Sequence, residues 1–148
     1  MNIEIQSRLE TLAFKKTIPF CYGCYSEAPT GRCAKCFSDD LMRLLPGVGC
    51  EYGTEWVIED LLGAVEKVDL SERFEDSIRS CYPEETSIGW LKVDTASAIK
   101  DLDPISWDLA KSEWADSEEQ EGTLLTFDNG STYFDPSEIE SFLDSEGV

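Results

Sequence analysis

The sequence predicts an α+β fold in which a small cysteine-rich module precedes a helix-rich, acidic unit that ends in a β-hairpin. Two Cys-x-x-Cys pairs lie within residues 21–36, and capped amphipathic helical patterns recur after residue 50. Near the end, Asn129-Gly130 separates two β-prone runs. A chain of 148 residues accommodates one or two small domains. We therefore predict a module at residues 1–50 and an acidic unit at residues 51–148.

The N-terminal module begins with a helical pattern over residues 2–14. Its apolar positions are Ile5, Leu9 and Leu12, which fall on one face of a helix. After the cysteines, Ser38 or Asp39 can cap a short helix through Leu45, which Pro46-Gly47 would stop.

The acidic unit contains several further elements. Thr54 begins one helical pattern, Ser71 is a candidate N-cap for the next, and residues 87–93 predict a strand. Asp103 followed by Pro104 is the clearest helix start in the chain. The buried stripe predicted for that helix is Ile105, Leu109, Ala110 and Trp114. Asn129-Gly130 then predicts a hairpin, because a type I′ turn needs positive φ at both central residues.

The four cysteines Cys21, Cys24, Cys33 and Cys36 have the spacing of a structural metal site. Each Cys-x-x-Cys pair forms a knuckle whose two thiolates point the same way, and two knuckles complete a tetrahedral zinc site. With four thiolates bound, one zinc ion would have no open position for catalysis. Buried or redox cysteines and bound iron are the alternatives. The spacing fits either a zinc ribbon or a treble clef.

Charge is the second informative feature of the sequence. The chain has 12 basic and 31 acidic residues, for a net charge of −19. The imbalance lies in the second part, where residues 101–148 contain 14 acids and one base, Lys111. Such a surface repels nucleic-acid phosphates and attracts basic proteins. We therefore expect a basic, nucleic-acid-binding protein as the partner, without direct binding to nucleic acid.

We expect a non-enzymatic protein that binds this partner noncovalently. The chain has no histidine, the commonest general base, and no glycine-rich phosphate loop. Acid pairs are expected from composition alone. The candidate partner-binding residues are Asp108, Glu113, Asp116, Glu118, Glu119 and Glu121. The high density of carboxylates in this region predicts a nucleic-acid mimic that blocks a basic groove. The alternative is an acidic protein whose charge does not imitate nucleic acid.

A second function is open to the same sequence. A zinc-knuckle adaptor or regulator could contact nucleic acid, or the transcription or translation machinery, through the bases of the N-terminal module. These bases are Lys15, Lys16, Arg32, Lys35 and Arg43. Aromatic residues near the knuckles could stack on bases or cover the metal site; they are Phe20, Tyr22, Tyr25 and Phe37.

Three stretches carry a resemblance to a known group. GRCAKCFSDDLMRLLPGVGCEYGTEWVIEDLL, IGWLKVDTASAIKDLDPISWDLAKSEW and LLTFDNGSTYF resemble uncharacterised small zinc-knuckle proteins carried on bacterial conjugative elements and plasmids. The resemblance implies a mobile genetic element as the context, and a cargo role of anti-restriction or anti-CRISPR type.

The cysteine usage and the start of the chain predict a cytoplasmic location. No run of 18 or more apolar residues exists, and MNIEIQSRLE lacks the apolar core of a signal peptide.

Overall fold

The structure, a computed structural model, describes residues 3–148 and is α+β, as predicted. Within this range it contains six helices, a four-stranded sheet and a two-stranded sheet. The helices are α1 (Ile3–Lys16), α2 (Glu55–Leu62), α3 (Leu70–Cys81), α4 (Thr95–Leu102), α5 (Pro104–Glu121) and α6 (Pro136–Ser145). The strands are β1 (Ile18–Cys21), β2 (Ser26–Glu27), β3 (Met42–Leu45), β4 (Gly49–Glu51), β5 (Glu85–Ile88) and β6 (Leu91–Asp94). In the part of the chain so described, no helix is both long enough and apolar enough to cross a bilayer.

The chain forms two compact units. The knuckle unit comprises residues 3–66 together with residues 137–148, and the acidic unit comprises residues 67–136. This division does not coincide with the boundary that we predicted after residue 50. It differs because α2 and most of α6 belong to the first unit.

Three helices build the core of the knuckle unit. The predicted N-terminal helix is confirmed as α1, and Ile5, Leu9 and Leu12 are all buried. The other buried helical residues of this unit are Ala13 of α1, Val57, Ile58 and Leu62 of α2, and Ile139 and Leu143 of α6. Arg8 joins the first helix to the last, since its guanidinium lies 2.5 Å from Asp144 Oδ1 and donates to the Val148 main-chain oxygen at 2.7 Å.

The helix predicted from Ser38 to Leu45 is wrong, because β3 occupies its second half. β3 pairs antiparallel with β1 and β4 in a sheet of order β2-β1-β3-β4. Arg43 fixes this strand by donating from Nε to Thr17 Oγ1 at 2.8 Å and from Nη2 to the Phe14 carbonyl at 3.2 Å. Pairing with a distant strand has overridden a local helical pattern.

Aromatic packing organises the acidic unit. Phe74 of α3 lies against Trp107 of α5 with ring centroids 4.7 Å apart, and Ala96 of α4 completes this buried cluster. Trp114 packs against the same cluster and against a second one formed by Ala115, Leu124 and Tyr133.

The predicted start of α5 is confirmed, whereas of the residues in its predicted buried stripe only Trp114 packs against the core. Asp103 caps the helix by accepting from the Ser106 backbone N–H at 3.0 Å. However, Ile105 and Leu109 are exposed, and Trp107 and Ala115 are the buried residues of the helix. The cap of α3 also differs from the predicted Ser71, since Asp69 accepts from Glu72 N at 3.1 Å.

The strand predicted over residues 87–93 is a hairpin. Glu85–Ile88 pairs with Leu91–Asp94, and the turn between them contains Gly89 with a φ of +61°. Asp94 then caps α4 and accepts from Arg79 Nη1 at 2.6 Å. Arg79, and then Ser97, hold the pKa of the Asp94 carboxyl well below its usual range. This ion pair ties the hairpin to α3.

The predicted C-terminal β-hairpin is reduced to one bridge, between Leu125 and Phe134. The turn residues do have positive φ, +58° at Asn129 and +93° at Gly130. Side-chain oxygens accept hydrogen bonds from backbone N–H groups that would pair between the strands in a longer hairpin. Thr126 Oγ1 accepts from Gly130 N at 2.9 Å, and Asp128 Oδ1 accepts from Thr132 N at 2.8 Å.

Candidate functional site

The four predicted metal ligands lie in two loops of the four-stranded sheet. Cys21 is the last residue of β1, and Cys24 lies in the turn that leads to β2. Cys33 and Cys36 lie in the loop between β2 and β3. The first of these loops begins at the end of β1, and the second ends where β3 starts beside that same end, since Met42 pairs with Phe20. The sheet therefore brings the two knuckles together.

The sulfur atoms have the spacing of a tetrahedral metal site. All four Sγ atoms lie within 4.8 Å of one another, and the Sγ atoms of Cys21 and Cys36 are 3.7 Å apart. Zinc–sulfur bonds of about 2.3 Å at tetrahedral angles put sulfurs about 3.8 Å apart. A disulfide would need about 2.05 Å. The arrangement therefore fits a four-thiolate metal site and forms no disulfide.

Backbone hydrogen bonds prepare these sulfurs to bind a cation. The backbone N–H groups of Cys36 and Lys35 lower the pKa of Cys33 to about 6, and the Lys35 N–H lies 3.4 Å from Cys33 Sγ. Hydrogen bonds with Cys36 and Cys33 raise the pKa of Cys24 to about 12. A bound cation would hold all four sulfurs as thiolates.

Burial differs among the four cysteines. Cys21 and Cys33 are buried, Cys24 is half-buried and Cys36 is exposed. Phe20, which precedes Cys21, and Ala28, which lies between the two knuckles in the sequence, are also buried. Four thiolates would occupy every position of a tetrahedral ion, so the chemistry of this donor set is that of a structural site.

Each knuckle is followed by an aromatic residue in a left-handed backbone conformation. Tyr25, directly after Cys24, has a φ of +50°, and Phe37, directly after Cys36, has a φ of +62°. Their side chains are 78% and 70% exposed. A non-glycine residue in this region costs roughly 1–2 kcal/mol. The tight turn of the knuckle imposes this conformation on a residue type that disfavours it.

Glycine is therefore expected to suit position 37 better than alanine. Both Phe37→Gly and Phe37→Ala remove the ring, but only glycine avoids the clash of a Cβ at positive φ. We expect the glycine variant to be more stable than the alanine variant by about 1 kcal/mol in thermal unfolding of the zinc-loaded protein.

Tyr22 provides the matched control for this comparison. It is an exposed aromatic residue inside the first knuckle, and its φ is not positive. There alanine should be the more stable substitution, by about 0.4–1 kcal/mol. If the glycine variant were the more stable one at both positions, or the alanine variant at both, positive φ at Phe37 would not explain the difference.

The two remaining cysteines lie outside the metal site. Cys50 is half-buried in β4, and Cys81 is exposed at the end of α3. The helical pattern Phe74, Ile78, Cys81 predicts a buried Cys81, and that expectation is wrong. Only Phe74 in this series is fully buried, because the chain leaves the helix at Tyr82 in an extended conformation.

The six candidate partner-binding acids separate into two groups on α5. Asp108, Glu113 and Asp116 are exposed, and Glu113 and Asp116 lie on the side of the helix away from Trp107, whereas Asp108 is about 140° around the helix from Glu113. Their only cation on this helix is Lys111, whose Nζ lies 3.9 Å from Asp108 Oδ1. Within residues 3–148, neither Glu113 nor Asp116 forms an ion pair.

The other three acids lie in the last turn of α5. Glu118 is half-buried, and both its carbonyl and its carboxylate accept from the Thr123 hydroxyl. Glu119 is half-buried, and Asp116 and Glu119 add to the effect of burial in raising the pKa of Tyr133. Glu121 is the exposed last residue of the helix. The structure therefore places Glu113 and Asp116 next to each other on α5, sets Asp108 apart from them, and gives Glu118 a capping contact instead.

Comparisons of the chain with protein-family models, with curated proteins and with solved structures find no match.

Proposed function

We propose that this protein is a non-enzymatic, acidic interaction protein of the cytoplasm, and that its partner is a basic protein that normally binds nucleic acid. The carrying observation is the exposed face of α5, where Glu113 and Asp116 have no cationic partner among residues 3–148. Carboxylates left without counter-charges on a rigid helix attract a basic surface and speed its association. Direct binding of nucleic acid would place phosphates against these carboxylates and is disfavoured.

The finer form of this proposal is a nucleic-acid mimic that blocks a basic groove. Duplex DNA presents one charge per about 1.7 Å of its axis. Residues 101–148 contain 14 acids and one base, an excess of one sign of charge of the kind that a mimic needs. The resemblance to cargo proteins of conjugative elements and plasmids agrees with an anti-restriction or anti-CRISPR role.

The metal site supports this function by holding the knuckle unit in one shape. We propose that Cys21, Cys24, Cys33 and Cys36 bind a single structural zinc ion. The first knuckle lies in the β1–β2 hairpin, and the strand β3 follows the second knuckle. This order favours a zinc ribbon, since a treble clef would place a helix there.

Charge reversal on α5 tests the proposal. We expect the triple variant Asp108→Lys, Glu113→Lys, Asp116→Lys to lose partner proteins that the unaltered protein captures from a bacterial lysate at about 150 mM salt. The matched control reverses three exposed acids of α2, namely Glu55, Glu59 and Asp60. Equal capture by both triple variants and the unaltered protein would refute the proposed site. Release of captured proteins by duplex DNA would favour mimicry over a simple charge contact.

The adaptor function has one observation in its favour. Tyr22, Tyr25 and Phe37 are exposed beside the knuckles, whereas Phe20 is buried. Bases near them are few, because Arg43 is hydrogen-bonded to Thr17 and Phe14, and Lys16 pairs with Glu146. A mobility shift of DNA or RNA at low salt would support this alternative, and its absence would favour the acidic interaction protein.

A further inference from the structure

The chain contains two asparagines, and only Asn129 has a neighbour that makes it chemically labile. An asparagine loses ammonia when the backbone nitrogen of the next residue attacks its carboxamide carbon. Asn129 precedes Gly130, which has no Cβ to shield that nitrogen, whereas Asn2 precedes the β-branched Ile3. Asn129 is also exposed to water. On these grounds Asn129 is the asparagine of this chain most open to deamidation.

The reaction needs only water as a second reactant. Gly130 N gives its proton to base in the solvent and bonds to Asn129 Cγ, and the bond from Cγ to Nδ2 breaks so that this nitrogen leaves as ammonia. Water then opens the succinimide ring at either of its two carbonyl carbons, which gives aspartate or isoaspartate. Both products carry a new negative charge, and isoaspartate also lengthens the main chain by one carbon.

In the folded protein the attacking nitrogen is already engaged. Gly130 N donates to Thr126 Oγ1 at 2.9 Å. The Thr126 hydroxyl donates in turn to Asp128 Oδ1 at 3.0 Å, and the same oxygen accepts from Thr132 N at 2.8 Å. Thr126 is only 5% exposed, so its hydroxyl has little water to replace these partners and the two bonds are costly to break. The Thr126 hydroxyl therefore restrains the nitrogen that would have to react.

The backbone of the turn opposes the same reaction. Asn129 has a φ of +58°, and a non-glycine residue with such a φ is confined to ψ values of about +30 to +60°. At these angles the Asn129 Cβ lies nearly opposite Gly130 N about the Cα–C bond, so the ring cannot close before the backbone rotates. The bridge between Leu125 and Phe134 flanks the turn and resists that rotation. The turn must open before Asn129 can react.

We propose that Asn129 is a modification site at which the fold controls deamidation, with Thr126 as the positioning residue that protects it. The intact turn keeps Asn129 unmodified, and opening of the turn releases Gly130 N for attack. Isoaspartate at this position lengthens the turn between Leu125 and Phe134, so the modified turn no longer matches the bridge that had protected it. This inference goes beyond the proposed function and does not depend on any partner.

Deamidation rates of the full-length, zinc-loaded protein and of three variants test the inference. The variants are Thr126→Val, Thr126→Ser and the matched control Thr123→Val. A synthetic peptide of residues 124–134 gives the rate without a stable fold, because an isolated hairpin of this length is marginally stable at best. All samples are kept at the same neutral pH and temperature. Mass spectrometry of the digested chain follows residue 129 with time, and chromatography separates aspartate from isoaspartate.

We expect the unaltered protein to react at least about fivefold more slowly than the peptide. Thr126→Val keeps the shape of the side chain but removes the hydroxyl, and it should raise the rate by about fivefold. Thr126→Ser keeps the hydroxyl and should react more slowly than Thr126→Val. Thr123→Val removes an exposed hydroxyl that donates to the Glu118 carbonyl, and it should leave the rate unchanged.

The order of the two Thr126 variants separates the hydrogen bond from packing. Thr126→Ser removes a buried methyl group, so a rate set by packing would be higher for serine than for valine. That order would overturn the inference, and so would equal rates in the peptide, the unaltered protein and Thr126→Val. Thermal unfolding shows whether each variant is folded during the incubation. If Thr126→Val is not folded, a Thr126→Ser protein that reacts as fast as the peptide would still overturn the inference.

Discussion

Chelating the metal is expected to unfold the region around the two knuckles. Residues 17–51 contain short strands, and few of their side chains are buried, so little apolar burial supports them without an ion. Structural zinc contributes about 10–16 kcal/mol in comparable small sites. This contribution is of the same size as the total stability of a whole domain, about 5–15 kcal/mol. Amide resonances of these residues should therefore collapse to random-coil positions when a strong chelator is added.

Single substitutions make the same test specific to the four cysteines. Cys33→Ser removes a fully buried ligand, and we expect it to abolish stoichiometric zinc and to reproduce the spectrum of the chelated protein. Cys81→Ser removes an exposed cysteine outside the site and should retain one zinc per chain. Metal analysis by mass spectrometry measures both. A purified protein without metal, folded equally well before and after chelation, would refute the zinc site.

Replacing Trp107 by alanine is expected to destabilise the acidic unit by about 3–5 kcal/mol. Its ring is buried against Phe74 of α3 and beside Ala96 of α4, so its removal leaves a cavity where three helices meet. Denaturant unfolding followed by circular dichroism would measure the loss. Few other single substitutions in this unit remove as much buried apolar area.

Trp90→Ala is the matched control for this prediction. It removes the same side chain from the same unit, but Trp90 is almost fully exposed. The free energy of unfolding should change by less than about 0.5 kcal/mol. Similar losses for both tryptophans would mean that the packing of Phe74 and Trp107 does not support the unit.

Features encoded by neighbouring residues could be predicted from the sequence. The metal site was one of these, because Cys-x-x-Cys spacing alone places two sulfurs on the same side of a turn. The start of α5 was another, because Asp103 caps the helix with its own side chain and Pro104 already has a helical φ.

Features that depend on distant partners could not be predicted in this way. α5 carries two apolar stripes, and only the positions of Phe74 and Ala96 decide that Trp107 faces inward and Ile105 outward. Likewise Met42–Leu45 becomes a strand because β1 lies beside it. The hairpin turn at Gly89-Trp90 did have a local signal, since glycine before a bulky residue interrupts the run of β-prone residues.

The two units are nested along the chain. The segment from 67 to 136 interrupts the knuckle unit, and its own ends meet, since Val68 N donates to Tyr133 O at 2.9 Å. During synthesis, α6 therefore leaves the ribosome after the whole of the interrupting segment. Ile139 and Leu143 of α6 belong to the core of the knuckle unit, so that unit cannot be completed until the end of the chain is made. Loss of the last dozen residues would consequently damage the N-terminal helix and leave the neighbouring segment intact.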